Sequence, residues 1–154
     1  MKRAFKAAAV VLVFALGLIQ LFQIDKTNPE IKESETIDSV VAVPPDVKII
    51  LGKACNDCHT NNTRYPWYSY IQPNGWWLRS HVEDGRRHLN LSIFATYDAK
   101  KRSKKLEEIC DEVRSGEMPL PSYTWIHRDA ALSTGERDAI CDWANKAAAA
   151  STPQ

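Results

Sequence analysis

Charge of one sign is not in excess in this 154-residue chain, in which 20 Lys and Arg face 19 Asp and Glu for a net charge of +1. The electrostatic footprint of a nucleic-acid binder is missing, and so is the acidic tail of a cation store. No segment repeats, and no series of alternating strand patterns points to a parallel sheet. Low complexity is confined to the alanines at 147–150. Methionine is scarce, with Met1 and Met118 the whole supply. Cysteine is limited to Cys55, Cys58, Cys110 and Cys141.

Two of those cysteines stand in the most informative stretch, Cys55-Asn56-Asp57-Cys58-His59. C-x-x-C-H is the pentapeptide to which c-type haem is attached. The two thiols add to the two vinyl groups of the porphyrin as thioethers, and two intervening residues let both sulfurs reach from one helical turn. The adjacent imidazole can then swing under the ring and ligate iron. One covalent haem c is therefore expected, with Cys55 and Cys58 attaching it and His59 as its proximal ligand.

The N-terminus supplies an export context. Lys2, Arg3 and Lys6 precede an apolar run from Ala7 to Ile24, broken by Gly17, Gln20 and Gln23. That run is just long enough to span a bilayer. A cleaved signal peptide is the rival, but no A-x-A pattern follows the run. The expectation is a single uncleaved transmembrane helix over 1–24. The positive-inside rule puts its N-terminus in the cytoplasm and the rest in the periplasm, at the inner membrane. Residues 25–45 are polar and then Val- and Pro-rich, which suits a flexible linker, although the Val40–Val43 patch could dock on the domain instead.

The remaining domain, 46–148, has helical patterning. Asp46 follows two prolines as an N-cap, and Val47, Ile50 and Leu51 share a helical face, although 47–51 could also form a short strand. Asn74 can cap a helix to about Leu89, with Leu78, Val82, Gly85 and Leu89 as its stripe. Leu106, Ile109, Cys110 and Val113 mark the next helix; basic residues at 100–105 oppose its dipole and hint at a later start. Gly116 suits its C′ position. Ser133-Thr134-Gly135-Glu136 is a capping box for a last helix that buries Ile140, Trp143, Ala144 and Ala147. The fold class is all-α. Trp67, Trp76, Trp77, Tyr123, Trp125 and Trp143 suit a core or a wall around a flat apolar cofactor.

The opposite face of the iron has four candidates: Met118, His81, His88 and His127. Met118 is preferred, because it lies in a Pro-bounded loop that lets a thioether approach iron; a core methionine is the bland alternative. His81 comes next, although a packing histidine is the commoner use of such a position. Arg86 could pair with a haem propionate or be a solvated helix charge. Cys110 and Cys141 could form a disulfide if their helices cross, or remain buried thiols.

The chain resembles the class I cytochromes c, and more specifically the bacterial haem-binding domain proteins. The matching segments are Cys58-His59-Thr60-Asn61, Tyr65-Pro66-Trp67-Tyr68, His81 to Arg86, Leu89-Asn90-Leu91-Ser92, Met118-Pro119 and Leu132 to Trp143. The resemblance implies a small helical cytochrome c-like fold around covalent haem over about 46–145. It implies no particular physiological partner.

Three functions fit these residues. The first is a membrane-anchored electron carrier serving a membrane redox partner. The second is a haem sensor or peroxidase-like enzyme whose sixth iron position is open, with His81 or His127 as an acid–base group. The third is a thiol–disulfide oxidoreductase using Cys55 and Cys58. It suffers from the lack of strands and gives His59 no necessary role.

Overall fold

The computed structural model describes residues 1–151. These form α1 (Lys2–Ile19), α2 (Pro45–Ala54), α3 (Asn56–His59), α4 (Asn74–His88), α5 (Ala99–Ser115), α6 (Pro121–Ile126) and α7 (Thr134–Ser151). Short 3-10 helices lie between them, and there is no strand among the described residues. The all-helical reading of the domain is what the structure has.

The expected transmembrane helix is not there. α1 has 18 residues, but it begins at Lys2 and ends at Ile19, so Lys2, Arg3 and Lys6 occupy its first turns. At 1.5 Å per residue its part from Ala7 to Ile19 is about 20 Å long, against about 30 Å of hydrocarbon in a bilayer. No helix among the described residues is long and apolar enough to cross a membrane. The single-pass inner-membrane placement, with a cytoplasmic N-terminus and a periplasmic domain, therefore has no span to rest on. The polar breaks in the run explain where the helix stops. Gln20 Nε2 donates to the Gln72 carbonyl at 3.0 Å, and the Gln72 amide returns a bond to Gln20 Oε1 at 2.8 Å. Trp76 Nε1 donates to the Phe22 carbonyl, and Ile24 is buried. The chain leaves α1 by joining the domain.

Residues 25–45 also lie against the domain. Ile37 and Val41 belong to the main core, and Trp143 Nε1 donates to the Ala42 carbonyl at 3.0 Å. Docking of the Val-rich patch describes Val41.

α2 shows why 47–51 is helical. Pro45 stands in its first turn, where a missing N–H costs nothing. Val47, Ile50, Leu51 and Ala54 are then buried along one face. A ten-residue helix is marginal alone. Burying its three larger side chains contributes about 1.5–3 kcal/mol each, which outweighs that deficit.

α5 and α7 pair along their length and carry most of the core: Leu106, Cys110, Cys141, Trp143, Ala144 and Ala148, with Phe94 and Leu91 beside them. Cys110 and Cys141 are disulfide-bonded, so the bridged alternative holds. α5 begins earlier than its basic residues suggest. Asp98 caps it by accepting from the Lys101 amide at 2.7 Å, and this carboxylate offsets the cations in the first turns. Gly116 ends it with φ of +83°. The capping box of α7 forms as expected: the Glu136 amide donates to Ser133 Oγ, and the Ser133 amide donates to Glu136 Oε2 at 2.9 Å.

The tryptophans depart from expectation. Trp143 is in the core, but Trp67, Trp76, Trp77 and Trp125 are exposed. They are neither core nor cofactor wall.

Candidate functional site

α2 ends at Ala54, and Cys55 breaks its geometry before α3 makes a single turn. The amides of Cys58 and His59 both donate to the Cys55 carbonyl, at 3.1 and 2.9 Å. Cys55, Cys58 and His59 are thereby held on one turn, as the spacing requires.

α4 crosses this turn closely. His59 Nδ1 lies 3.1 Å from the carbonyl oxygens of both Gly85 and Leu89. Carbonyls only accept, so Nδ1 carries the proton and Nε2 is left with a lone pair. This is the arrangement that orients a metal-ligating imidazole. Burial lowers the pKa of His59, with the two carbonyl bonds acting against it, which favours the neutral ring a metal needs.

The loop after His59 is fastened by buried polar groups. Asn61 accepts from Asn90 Nδ2 at 2.8 Å, and its amide donates to Ser92 Oγ at 2.9 Å. The Ser92 amide in turn donates to Asn90 Oδ1. Arg86 belongs to this support. Its Nε donates to the Thr60 carbonyl, and its Nη2 donates to Thr63 Oγ1 and Asn28 Oδ1, all within 2.9 Å. It does not line the cavity described next, and it is not a solvated charge either.

Cys55, Cys58 and His59 open onto a cavity of about 460 Å³. Its wall is mainly apolar, including Leu51, Leu89, Leu91, Ile109, Val113 and Leu120. Met118 lines the same cavity. Its loop leaves α5 through Gly116, and its amide donates to the Glu112 carbonyl at 3.0 Å, while its side chain packs near Ile50, Ala54 and Val113. His81 and His88 also reach the cavity, and His127 does not. His81 is engaged through Nδ1 with the Trp77 carbonyl at 2.9 Å.

Of the aromatics expected in a core or a cofactor wall, Tyr123 takes the wall position. Tyr123 lines the cavity and donates to Asp57 Oδ2 at 2.8 Å. Asp57 also accepts from Arg64 Nε at 3.2 Å. Burial, followed by the Asp57 carboxylate, raises the Tyr123 pKa and keeps its phenol protonated. Gly85 has a part in the site that its place in an apolar stripe does not show, for its missing side chain is what lets α4 approach Cys58.

The two thiols are free of each other. Burial pushes Cys55 up to about 12 and, with Asp57 adding to it, Cys58 up to about 11. A disulfide oxidoreductase needs a lowered thiol pKa. With no strand to supply its fold, the thioredoxin-like reading falls away.

The donor set suits a porphyrin: an imidazole with a free lone pair, two thiols on its turn, a thioether, and an apolar cavity within the usual size range of cofactor sites. The family model of the haem-binding domain matches residues 14–146. The chain belongs to the haem-binding domain family. Haem is thus its cofactor, and the match begins within α1, so it takes in residues 25–45 as well as the helices around the cavity. No curated protein and no solved structure matches the chain.

Proposed function

We propose that this haem-binding protein is a c-type cytochrome that holds one haem covalently and passes single electrons to and from a redox partner protein. The observation that carries this reading is the convergence of Cys55, Cys58, His59 and Met118 on one apolar cavity. Cys55 and Cys58 would hold the group as thioethers, each sulfur and its proton adding across one vinyl double bond, so attachment would need no oxidant. His59 would hold the iron through Nε2, with its ring aimed by the Gly85 and Leu89 carbonyls. Met118 would hold the iron through its thioether, a ligand that would raise the potential.

When bound, haem supplies a one-electron iron couple. The chain's part is to keep both ligands in place and water out. Leu89, Leu91, Ile109 and Val113 give the cavity its apolar wall. Lys105, at the cavity edge and paired with Glu108 at 2.5 Å, is better placed than Arg86 to meet a propionate. The Cys110–Cys141 disulfide supports maturation in an oxidising compartment, which is also where covalent haem is attached.

A second reading, a haem sensor or peroxidase-like enzyme, is favoured by His81 and His88 on the same cavity, since either can serve as an acid–base group beside an open iron position. Visible spectra of the haem-loaded chain in both redox states separate the two. The electron-carrier reading expects a low-spin wild type that resists carbon monoxide, a Met118→Ala variant that turns high-spin and binds it, and an unaltered His81→Ala variant. Rapid carbon monoxide binding by the reduced wild type would favour the second reading.

A further inference from the structure

Four rings form a continuous line from the cavity wall to solvent. Tyr123 lines the cavity. Its ring stacks on His127 with 4.4 Å between centroids and 21° between planes. His127 Nε2 and the Tyr68 hydroxyl share a hydrogen bond of 2.9 Å. The Tyr68 ring meets Trp67 edge-on at 5.9 Å. Trp67 is 74% exposed, while Tyr68 behind it is buried at 8%. Burial raises the Tyr68 pKa, so its phenol keeps a proton to give. Trp125 is as exposed as Trp67, at 78%, but no ring stands against it among the described residues. Exposure alone does not mark Trp67; the rings behind it do.

Resting on the second reading above, in which the sixth iron position is open, we propose that Tyr123, His127, Tyr68 and Trp67 carry oxidising equivalents from the cavity to the surface when hydrogen peroxide is reduced there. Reduction of one peroxide to two waters takes two electrons and two protons. The protons come from solvent, and the path delivers the electrons one at a time. Tyr68 releases an electron towards the cavity across the His127–Tyr123 stack, and its phenolic proton moves to His127 Nε2. Trp67 then returns an electron to Tyr68, the proton goes back from His127, and Trp67 gives its indole proton to water. A one-electron reductant of the ascorbate class restores Trp67. Without one, the Trp67 radical combines with dioxygen and the side chain is left oxygenated.

This fate is measurable by mass. The full chain is loaded with haem, retention is confirmed on a denaturing gel, and the protein is treated with hydrogen peroxide without reductant. Peptide mass spectrometry then compares oxygen gain at Trp67 and Trp125. The expected result is several-fold more oxygenation at Trp67 in the haem-loaded wild type. In Tyr68→Phe, which keeps the ring but has no proton to pass to His127, the excess falls to the level of wild-type chain produced without haem. Equal oxygenation of the two tryptophans, or an excess at Trp67 that survives Tyr68→Phe, overturns the proposal. A chain that retains no haem after maturation, or whose reduced haem resists carbon monoxide, overturns that second reading beneath it instead.

Discussion

Gly85 lies so close to Cys58 that a Cβ added to it would stand 2.8 Å from the Cys58 carbonyl oxygen and 3.2 Å from the carbonyl carbon. Those are backbone atoms of the Cys55–His59 turn, so no flexible side chain can yield. The contact sets how near α4 comes, and with it the distance from His59 Nδ1 to the Gly85 and Leu89 carbonyls.

Gly85→Ala therefore forces α4 away from α3. The expected cost is about 1–3 kcal/mol, the usual range for overpacking. The carbonyls that aim His59 move with the helix, so haem retention falls as well. Gly52→Ala is the matched control, since nothing lies within 4 Å of a Cβ there. In the middle of α2 it should be neutral or stabilising by up to about 1 kcal/mol. Thermal melts of the two variants check the contrast; equal effects would contradict it.

The disulfide closes a loop of 31 residues between α5 and α7, whose contact holds most of the core. Removing it in a Cys110→Ala/Cys141→Ala variant should cost about 2–4 kcal/mol. A reductant should lower the melting temperature of the wild type and leave that of the double variant unchanged.

Acid should weaken the start of α7 before it affects the rest. Glu136 bonds Lys53 at 2.6 Å and the Ser133 amide at 2.9 Å, and these contacts lower its pKa from 4.5 to about 2. A folded-state pKa below the unfolded value gives stability that is complete above the unfolded pKa. It is lost as pH falls from about 4.5 through about 2. The pair is partly exposed, so salt screens it. The melting-temperature gap between wild type and Glu136→Gln should shrink over that interval, and a gap constant from pH 7 to 2 would contradict the assignment.

What the sequence made legible was local. Cys55, Cys58 and His59 are related by one turn, and Ser133 and Glu136 by one capping box, so spacing suffices for both. The misreadings share a different cause: partners far along the chain. Apolarity over Ala7 to Ile24 says nothing of Gln72, whose bonds to Gln20 mark where the helix has given way to the domain. Arg86 looked like a propionate anchor because its true partners, Thr60, Thr63 and Asn28, are 23 to 58 residues away. Gly85 looked like one apolar position in a stripe, and only the crossing of α3 and α4 gives it a purpose. The start of α5 is local too, since Asp98 is an N-cap residue standing just before the basic run. Cys110 and Cys141 left two readings open, which only the packing of α5 on α7 could separate.

Covalent attachment at Cys55 and Cys58 is the claim on which the rest depends, and haem staining after a denaturing gel tests it most directly. The chain is expressed with haem maturation, as wild type and as Cys55→Ala/Cys58→Ala. Stain should stay with the wild-type band and be lost from the double variant. Native wild type that carries haem but releases all of it on denaturation, or a double variant that keeps its stain, would contradict that claim.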